Sequence, residues 1–348
     1  AWPAAELAQR LEEFLPRARR LWYRLGDHPR TDRLVGRILS RARNKSRQGI
    51  HPPAALLDPV PVLHELRLHK DEDELALMRR SAAVTAEAHL LAMAQAGPGL
   101  GEWELEALID YTFRRHGADG WAYATIVAGG ANACVLHYTE NADRLADGAL
   151  VLIDAGAEFF GYACDVTRTF PVSGRFTPAQ RDAYQIVLAA ERAAVQKCLP
   201  GEPWAGVHEE AVRVLADGLR SLGVLAEPVE EIVEKELYKP WYMHNTSHWL
   251  GLDVHDAGTY TLPGGDRRLL AAGMCLTVEP GLYFPAGDER VPAELRGTGI
   301  RIEDDVLITP GGHEILTLAV PREAADVEAA CAAERPMPPR LETEPLRS

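Results

Sequence analysis

The same order of predicted elements occurs twice along this chain. Residues 70–99 have the pattern of a long helix that stops at Gly-Pro-Gly, and a second helix follows over 102–116. From 177 to 223 a long helix, a Pro-Gly break and a second helix ending in glycine occur again. Each helix pair is followed by short apolar segments typical of strands. This order indicates a duplicated α+β half, although two amphipathic helix pairs can also look alike by chance.

The remaining elements are predicted from apolar periodicity and from proline positions. The predicted strands cover residues 124–128, 134–138, 149–155, 162–170, 247–254, 274–284 and 299–308. Near the start of the chain, residues 4–24 and 31–43 have the pattern of helices. The proline-rich segment 48–65 is predicted to be an extended linker.

Charge is distributed unevenly over the 348 residues, whose net charge is −14. Residues 1–64 contain 12 Lys/Arg and 6 Asp/Glu, so the rest of the chain carries −20. This shift favours a domain boundary and a basic N-terminal surface that could dock on the acidic part. A solvated, arginine-rich helix pair explains the same charges. An acidic chain of this kind excludes nucleic-acid binding through bulk charge.

The cysteines, the hydropathy and the first residues argue against several classes of protein. Five cysteines without a CxxC pair argue against a disulfide framework or a thiolate zinc site, and we therefore expect a cytoplasmic protein. No run of 18 apolar residues is present, so we expect no membrane partner. The first residues lack a signal-peptide pattern and an initiating Met, from which we expect a trimmed or processed chain.

Carboxylates occur in predicted strands where apolar residues are usual. Because side chains alternate between the two faces of a strand, Asp165, Glu279 and Glu303 lie on polar faces backed by apolar ones. Asp154 follows the apolar run LVLI and is expected to be buried. Four such acids would repel one another, and the nearby arginines are too few to compensate. A divalent cation would resolve this conflict.

Histidines close to these strands can complete such a site. The segment WYMHNTSHWLGLDVHD contains His244, His248 and His255, and CVLHYTEN contains His137. One imidazole among carboxylate oxygens suits manganese, or cobalt and zinc less selectively. The HExxH motif is absent, and the residues alone do not select which histidine is the ligand. Taken singly, each acid or histidine has an ordinary alternative, such as a strand edge or a hydrogen-bonded core position.

Five motifs, taken in order, resemble the pita-bread metallopeptidases. They are HYTEN, VLIDAGAEFFGYACDVTRTFPVSGRFTPAQ, SHWLGLDVHD, LTVEPGLY and GIRIEDD, and the resemblance extends from about residue 64 to 330. Within that family they are most similar to the aminopeptidase P group. The resemblance implies the α+β pita-bread (creatinase/aminopeptidase) fold, with pseudo-symmetric halves and a mostly antiparallel sheet flanked by helices.

The resemblance also implies roles for individual residues. It assigns Asp154 to one of two metal ions, Asp165 and Glu303 to both ions as bridges, and His248 and Glu279 as the remaining ligands. The sequence has a metal-binding residue at each of the five ligand positions, unlike the metal-free branch of the family that includes creatinase. The catalytic positions implied are His137, His244, His255, Glu279 and Arg301, with Thr277 supporting the ligands and Tyr283 lining the cleft. The implied cofactor is two divalent ions, with Mn²⁺ preferred over Co²⁺ or Zn²⁺.

The activity implied is hydrolysis of the bond between an N-terminal residue and a following proline, by attack of a metal-bound hydroxide. The implied partners are peptides with proline at the second position and further copies of the chain, as a dimer or tetramer. One alternative is a prolidase, which takes dipeptides. Two others are a binding protein that keeps the fold without turnover and a two-metal phosphoesterase, for which no phosphate-cradling glycine loop is evident.

The resemblance gives three expected regions. Residues 1–63 are expected to be the last part of an N-terminal domain plus a linker, with most of that domain missing. Residues 64–332 form the expected catalytic domain. Residues 333–348 form an expected mobile, proline-rich tail.

Overall fold

The computed structural model describes residues 2–334, and its chain divides into two compact units, Ala1–Leu66 and Arg67–Ser348. The predicted boundary after residue 63 stays a prediction. Most of the predicted tail, from residue 335 onward, lies outside the described residues. Among residues 2–334, no helix combines the length and the apolar character that crossing a membrane requires.

The first unit is small and partly differs from its predicted elements. Its elements are α1 (Leu7–Phe14), β1 (Arg20–Trp22), α2 (Pro29–Asn44), β2 (Ala55–Leu57) and α3 (Val60–Leu68), which ends just beyond the unit. The single helix predicted over 4–24 is wrong beyond Phe14, because Pro16 removes an N–H and clashes with the preceding turn. The prediction of an extended linker over residues 48–65 is also wrong in part. Strand β2 pairs in parallel with β1, and Pro61 lies in the first turn of α3, where its missing N–H is tolerated.

The second unit contains both predicted helix pairs. Its helices are α4 (Glu72–Gln95), α5 (Glu102–Arg115), α6 (Pro178–Val195), α7 (Ala205–Ser221), α8 (Val229–Glu234) and α9 (Ala324–Cys331). Helix α4 begins with a capping box, in which Asp71 accepts from the N–H of Glu74 and the Glu74 side chain accepts from the N–H of Asp71. Helices α4 and α5 pack together, and so do α6 and α7.

The strands of this unit form four small antiparallel sheets. They are β3 (Gly120–Trp121), β4 (Ile126–Gly129), β5 (Leu150–Asp154), β6 (Ala157–Phe159), β7 (Tyr162–Ala163), β8 (Thr167–Pro171), β9 (Cys275–Val278), β10 (Gly281–Phe284), β11 (Thr298–Arg301), β12 (Asp304–Thr309) and β13 (Gly312–Ile315). The spatial orders are β4-β5-β8, β3-β6-β7, β13-β12-β9 and β10-β11. The prediction of an α+β fold with mainly antiparallel pairing is therefore confirmed.

Strand register brings the acids to strand ends. Asp154 is the last residue of β5 and pairs with Thr167 at the start of β8. Glu279 follows β9 directly, and Glu303 lies between β11 and β12. The apolar residues of these strands, such as Val151 and Ile153, are fully buried in the main core. The core therefore fixes the strands, and their ends carry the polar groups.

Two predicted strands are loops in the structure. Residues 130–134 form a 3₁₀ turn and the chain then continues irregularly through 138, where a strand was predicted. Residues 247–254 make a single bridge, Trp249 to Leu276, instead of a ladder. Side-chain hydrogen bonds from distant residues hold these loops, so local alternation of apolar residues does not decide their conformation.

Candidate metal centre

A cavity of about 720 Å³ lies where the strand ends of the second unit meet. Every ligand and catalytic position predicted from the sequence lines this cavity. These residues are His137, Asp154, Asp165, His244, His248, His255, Glu279, Arg301 and Glu303. The structure thus brings together residues more than 160 positions apart, while the role of each remains a prediction.

Three of these side chains form a tight group. One ligand atom from each of Asp165, His248 and Glu303 lies within 4.8 Å of the others. His248 Nε2 is 3.3 Å from Asp165 Oδ2 and 3.7 Å from Glu279 Oε1. Asp154 lies outside this tight group and is bound to Arg301.

The orientation of His248 suits a ligand. Its backbone N–H donates to Thr277 Oγ1 over 3.1 Å, and its ring Nδ1 donates to the carbonyl of Trp249 over 3.0 Å. Nε2 therefore faces the carboxylates and is the ring atom that would bind a metal ion. A hydrogen bond from the other ring nitrogen to a carbonyl is the usual support of a metal-binding histidine.

The carboxylates carry more negative charge than their surroundings compensate. Burial raises the pKa of Asp154, that of Glu279 to about 7, and that of Glu303 well above its ordinary value, and neighbouring carboxylates add to the last shift. Burial also opposes protonation of His248, but the Asp165 hydrogen bond and the charges of Glu279 and Asp165 prevail and raise its pKa to about 9. These shifts indicate that the cluster favours added positive charge. Four carboxylates and one free imidazole nitrogen therefore fit hard divalent cations.

Tyr123, which the sequence interpretation missed, lies between two of the acids. Its hydroxyl is 2.5 Å from Oδ1 of both Asp154 and Asp165. Since a phenol has one proton, it donates to one carboxylate at a time, and burial raises its pKa well above the ordinary value. Nothing in the segment WAYAT distinguishes this tyrosine from an ordinary strand residue.

Arg301 connects the acids to the histidines. Its Nε donates to Thr167 Oγ1 over 3.0 Å, and Thr167 donates to Glu303 Oε2 over 2.6 Å. Its Nη1 donates to the hydroxyl of Tyr283 over 3.0 Å. The Tyr283 hydroxyl lies 2.8 Å from His244 Nε2.

Two of the histidines that line the cavity, His244 and His255, favour the neutral form. His244 Nδ1 donates to the carbonyl of Asn245 over 2.8 Å, so Nε2 accepts from Tyr283. Burial, with the nearby charge of Arg301, lowers the pKa of His244 to about 3. Burial and the charge of His248 also lower the pKa of His255. These rings can therefore position a substrate without adding charge.

An aromatic wall, also missed from the sequence, completes the cavity. Trp204 and Tyr260 line it with ring centroids 4.4 Å apart, and Tyr260 stacks on Trp249. Trp204 comes from the start of α7, far in sequence from the metal motifs.

Comparison with known proteins identifies the class of protein that this fold and site define. Residues 76–310 match the family model described as metallopeptidase family M24. The chain belongs to metallopeptidase family M24. This membership confirms the predicted enzyme class, a metal-dependent hydrolase.

Within that family the chain is similar to aminopeptidase P. It is 46% identical over 332 residues to the Xaa-Pro aminopeptidase of Escherichia coli, covering 95% of this chain and 74% of that protein. Its identity to the Xaa-Pro aminopeptidase of Haemophilus influenzae is 47%, covering 78% of this chain and 63% of that protein. The structure of Pseudomonas aeruginosa aminopeptidase PepP superposes with a TM-score of 0.91 at 45% identity, covering 95% and 75% of the two chains. These matches confirm the resemblance and the pita-bread fold predicted from the motifs.

Proposed function

We propose that this chain is a dinuclear aminopeptidase that hydrolyses the bond between an N-terminal residue and a following proline. One observation carries the proposal: five oxygen and nitrogen ligand residues line one cavity whose carboxylates lack compensating charge. Relatives at 46% and 47% identity are named Xaa-Pro aminopeptidases, which supports this substrate class.

Five side chains would hold the two ions. The family resemblance implies that Asp165 and Glu303 would be shared by the two ions, and both belong to the tight group. Asp154 would bind one ion, and His248 and Glu279 would complete the set. When bound, a divalent pair supplies a water molecule whose pKa is lowered towards neutrality. Mn²⁺ is the ion we expect, with Co²⁺ and Zn²⁺ as alternatives.

His137 and His255 would bind the carbonyl oxygen of the scissile bond. They lie on separate loops that border the cavity, and both can donate an N–H to an oxygen that becomes negative in the transition state. One such donor is worth about 3 kcal/mol in other enzymes.

Glu279 would move the proton that the leaving group needs. An amine leaves as a neutral molecule and not as its strongly basic anion, so the proline nitrogen must receive a proton as the bond breaks. The Glu279 carboxylate lines the cavity, with Oε2 3.6 Å from His244 Nδ1. His244, held by Tyr283 and Arg301, would orient the proline ring beside it.

The length of the peptide that is cleaved distinguishes an Xaa-Pro aminopeptidase from a prolidase, which is the nearest alternative. We expect chelated protein, after addition of Mn²⁺, to cleave Xaa-Pro-Xaa and to leave Xaa-Ala-Xaa intact. Cleavage of Xaa-Pro dipeptides alone would instead indicate a prolidase. Two bound ions per chain without cleavage of either peptide would indicate a binding protein that keeps the fold.

Asp165→Asn tests the site itself. We expect it to lose metal, measured by elemental analysis, together with turnover. Asp182→Asn on α6 is the matched control, because this acid is exposed, and it should retain both. Full activity of Asp165→Asn would refute the site. The cytoplasmic location and the homo-oligomer expected from the sequence stay predictions.

A further inference from the structure

Glu102 is a completely buried carboxylate outside the metal centre. It is the first residue of α5 and has no exposed surface. Its Oε1 accepts from the N–H of Gly129 over 2.7 Å and from Asn132 Nδ2 over 3.1 Å. Its Oε2 accepts from the hydroxyl of Tyr138 over 2.8 Å and from the N–H of Asp143 over 2.8 Å. Four neutral donors and a helix N-terminus therefore stabilise this charge.

These four donors bracket one loop. The His137 loop, residues 130–142, begins after Gly129 at the end of β4 and ends before Asp143. Glu102 binds both of these flanking residues, and its own N–H donates to the carbonyl of Asp143 over 2.9 Å. Inside the loop it binds Tyr138, the neighbour of His137. The hydroxyl of Tyr138 also accepts from the N–H of Ala142 over 3.2 Å. One side chain thus fixes both ends and the middle of the loop.

Two other contacts restrict the same loop. Asn141, with a left-handed φ of 44°, accepts from the N–H of Val127 and donates to the carbonyl of Thr125, both over 2.9 Å. The loop also presses on β11, since a Cβ added to Gly299 would lie 2.3 Å from the carbonyl oxygen of Ala133. The loop therefore has one defined position against β4 and β11.

We propose that Glu102 is a positioning residue that holds His137 in the cavity. His137 lines the cavity from the middle of this loop, 17 residues before Asp154, which is the nearest predicted metal ligand in sequence. Replacing Glu102 by Gln keeps the size of the side chain but turns an NH₂ group towards two donors. Those buried donors then lack an acceptor, and the loop loses its common attachment. The catalytic part of the inference rests on the proposed function, whereas the effect on the loop does not.

A double-mutant cycle tests the catalytic part. We expect Glu102→Gln to lower kcat/KM for Xaa-Pro-Xaa by about 10–100-fold, as loss of supporting contacts does in other sites. In a His137→Ala background the same change should cost less than about threefold, because the group being positioned is gone. Equal losses in the two backgrounds would overturn the proposal. Glu106→Gln, on the same helix, is the control and should have no effect in either background.

Hydrogen exchange tests the loop independently of turnover. In Glu102→Gln, amides of residues 130–142 should exchange faster, while those of α6 should not change. Unchanged exchange in the loop, or equally faster exchange throughout the chain, would overturn the proposal. If Glu102→Gln does not fold, Tyr138→Phe removes one of the four hydrogen bonds and undergoes both tests with a smaller expected effect. A wild-type chain without Xaa-Pro cleavage would refute the proposed function, and the exchange result would still decide the role of Glu102 in the loop.

Discussion

Arg301 donates from Nη2 to Asp154 Oδ2 over 2.6 Å and so joins the last residue of β11 to the last residue of β5. Both side chains are almost completely buried. Arg301 is the one permanently charged cation among the described residues that line the cavity. Its planar guanidinium simultaneously reaches Thr167 and Tyr283, so it fixes the positions of three partners as well as adding charge.

Arg301→Lys should therefore weaken metal binding although it keeps the charge. A lysine has a single ammonium group and cannot reproduce the three directed contacts of the guanidinium. We expect about a 10–100-fold lower affinity for Mn²⁺ in competition with a chelator. Arg175→Lys, at an exposed position, should not change the affinity. An unchanged affinity of Arg301→Lys would show that charge alone matters here.

Gly156 should not tolerate a side chain. It lies between Asp154 and Asp165 in the chain, and a Cβ there would be 1.7 Å from the carbonyl oxygen of Cys164. Backbone must move to relieve this overlap, so Gly156→Ala should lower the free energy of unfolding by about 3 kcal/mol in urea titrations. Gly206→Ala in α7 meets nothing within 4 Å, and this control should be neutral or slightly stabilising. A stable Gly156→Ala protein would contradict the close packing of this turn.

Lys70 should be required for stability because it neutralises a buried acid. Lys70 Nζ lies 3.3 Å from Asp256 Oδ2, and both side chains are 1% exposed. Asp256, the neighbour of His255, also pairs with Arg67, which is more exposed. Removing Lys70 leaves the buried Asp256 with only the more exposed Arg67 as its partner, so Lys70→Met should cost about 3 kcal/mol of unfolding free energy. Lys239→Met, at an exposed pair with Glu236, should cause no measurable loss. Equal stability of the two variants would contradict this account.

Glu191 should make stability depend on pH. Burial and the nearby charge of Asp304 raise its pKa to about 8, although Arg322 Nη1 lies 2.6 Å from its Oε1. An unfolded glutamate ionises near pH 4.5, so between about pH 4.5 and 8 the folded state binds more protons than the unfolded state. The stability that the raised pKa of Glu191 contributes is therefore complete below pH 4.5 and is lost as pH rises through about 8.

Glu191→Gln removes this titration. The unfolding free energy of Glu191→Gln minus that of wild type should therefore increase from pH 5 to pH 8, by at most about 1.4 kcal/mol per pH unit. Urea unfolding of both proteins in chelator would measure the difference at each pH. Glu294→Gln, an exposed change, should show a constant difference from wild type. A constant difference for Glu191→Gln would mean that this carboxyl is ionised throughout.

Local patterns predicted the helix pairs and the strands that carry the acids. Capping residues such as Asp71 and Thr177 mark helix starts within a few residues, and the apolar run before Asp154 is part of a buried strand. Alternation predicted polar strand faces for Asp165 and Glu279, but the structure places Asp165 between β7 and β8 and Glu279 between β9 and β10. The five ligand positions were assigned by resemblance to a family, because spacing alone does not select one histidine among four.

The residues that were missed depend on contacts that are distant in sequence. The segment containing His137 alternates like a strand, but Glu102, 35 positions earlier, holds it as a loop. Tyr123 and Trp204 reach the cavity only because the fold closes around it. A short window of sequence contains no sign of either contact.

The acids stand on strand ends, whereas the four histidines stand on irregular segments fixed by side chains such as Glu102 and Asp256. The carboxylates and the histidines thus have separate mechanical supports. A change in one of the histidine segments can therefore move its imidazole while the strands beside the carboxylates keep their positions. Such a division allows the histidine lining of the cavity to change by small steps while the carboxylate cluster stays in place.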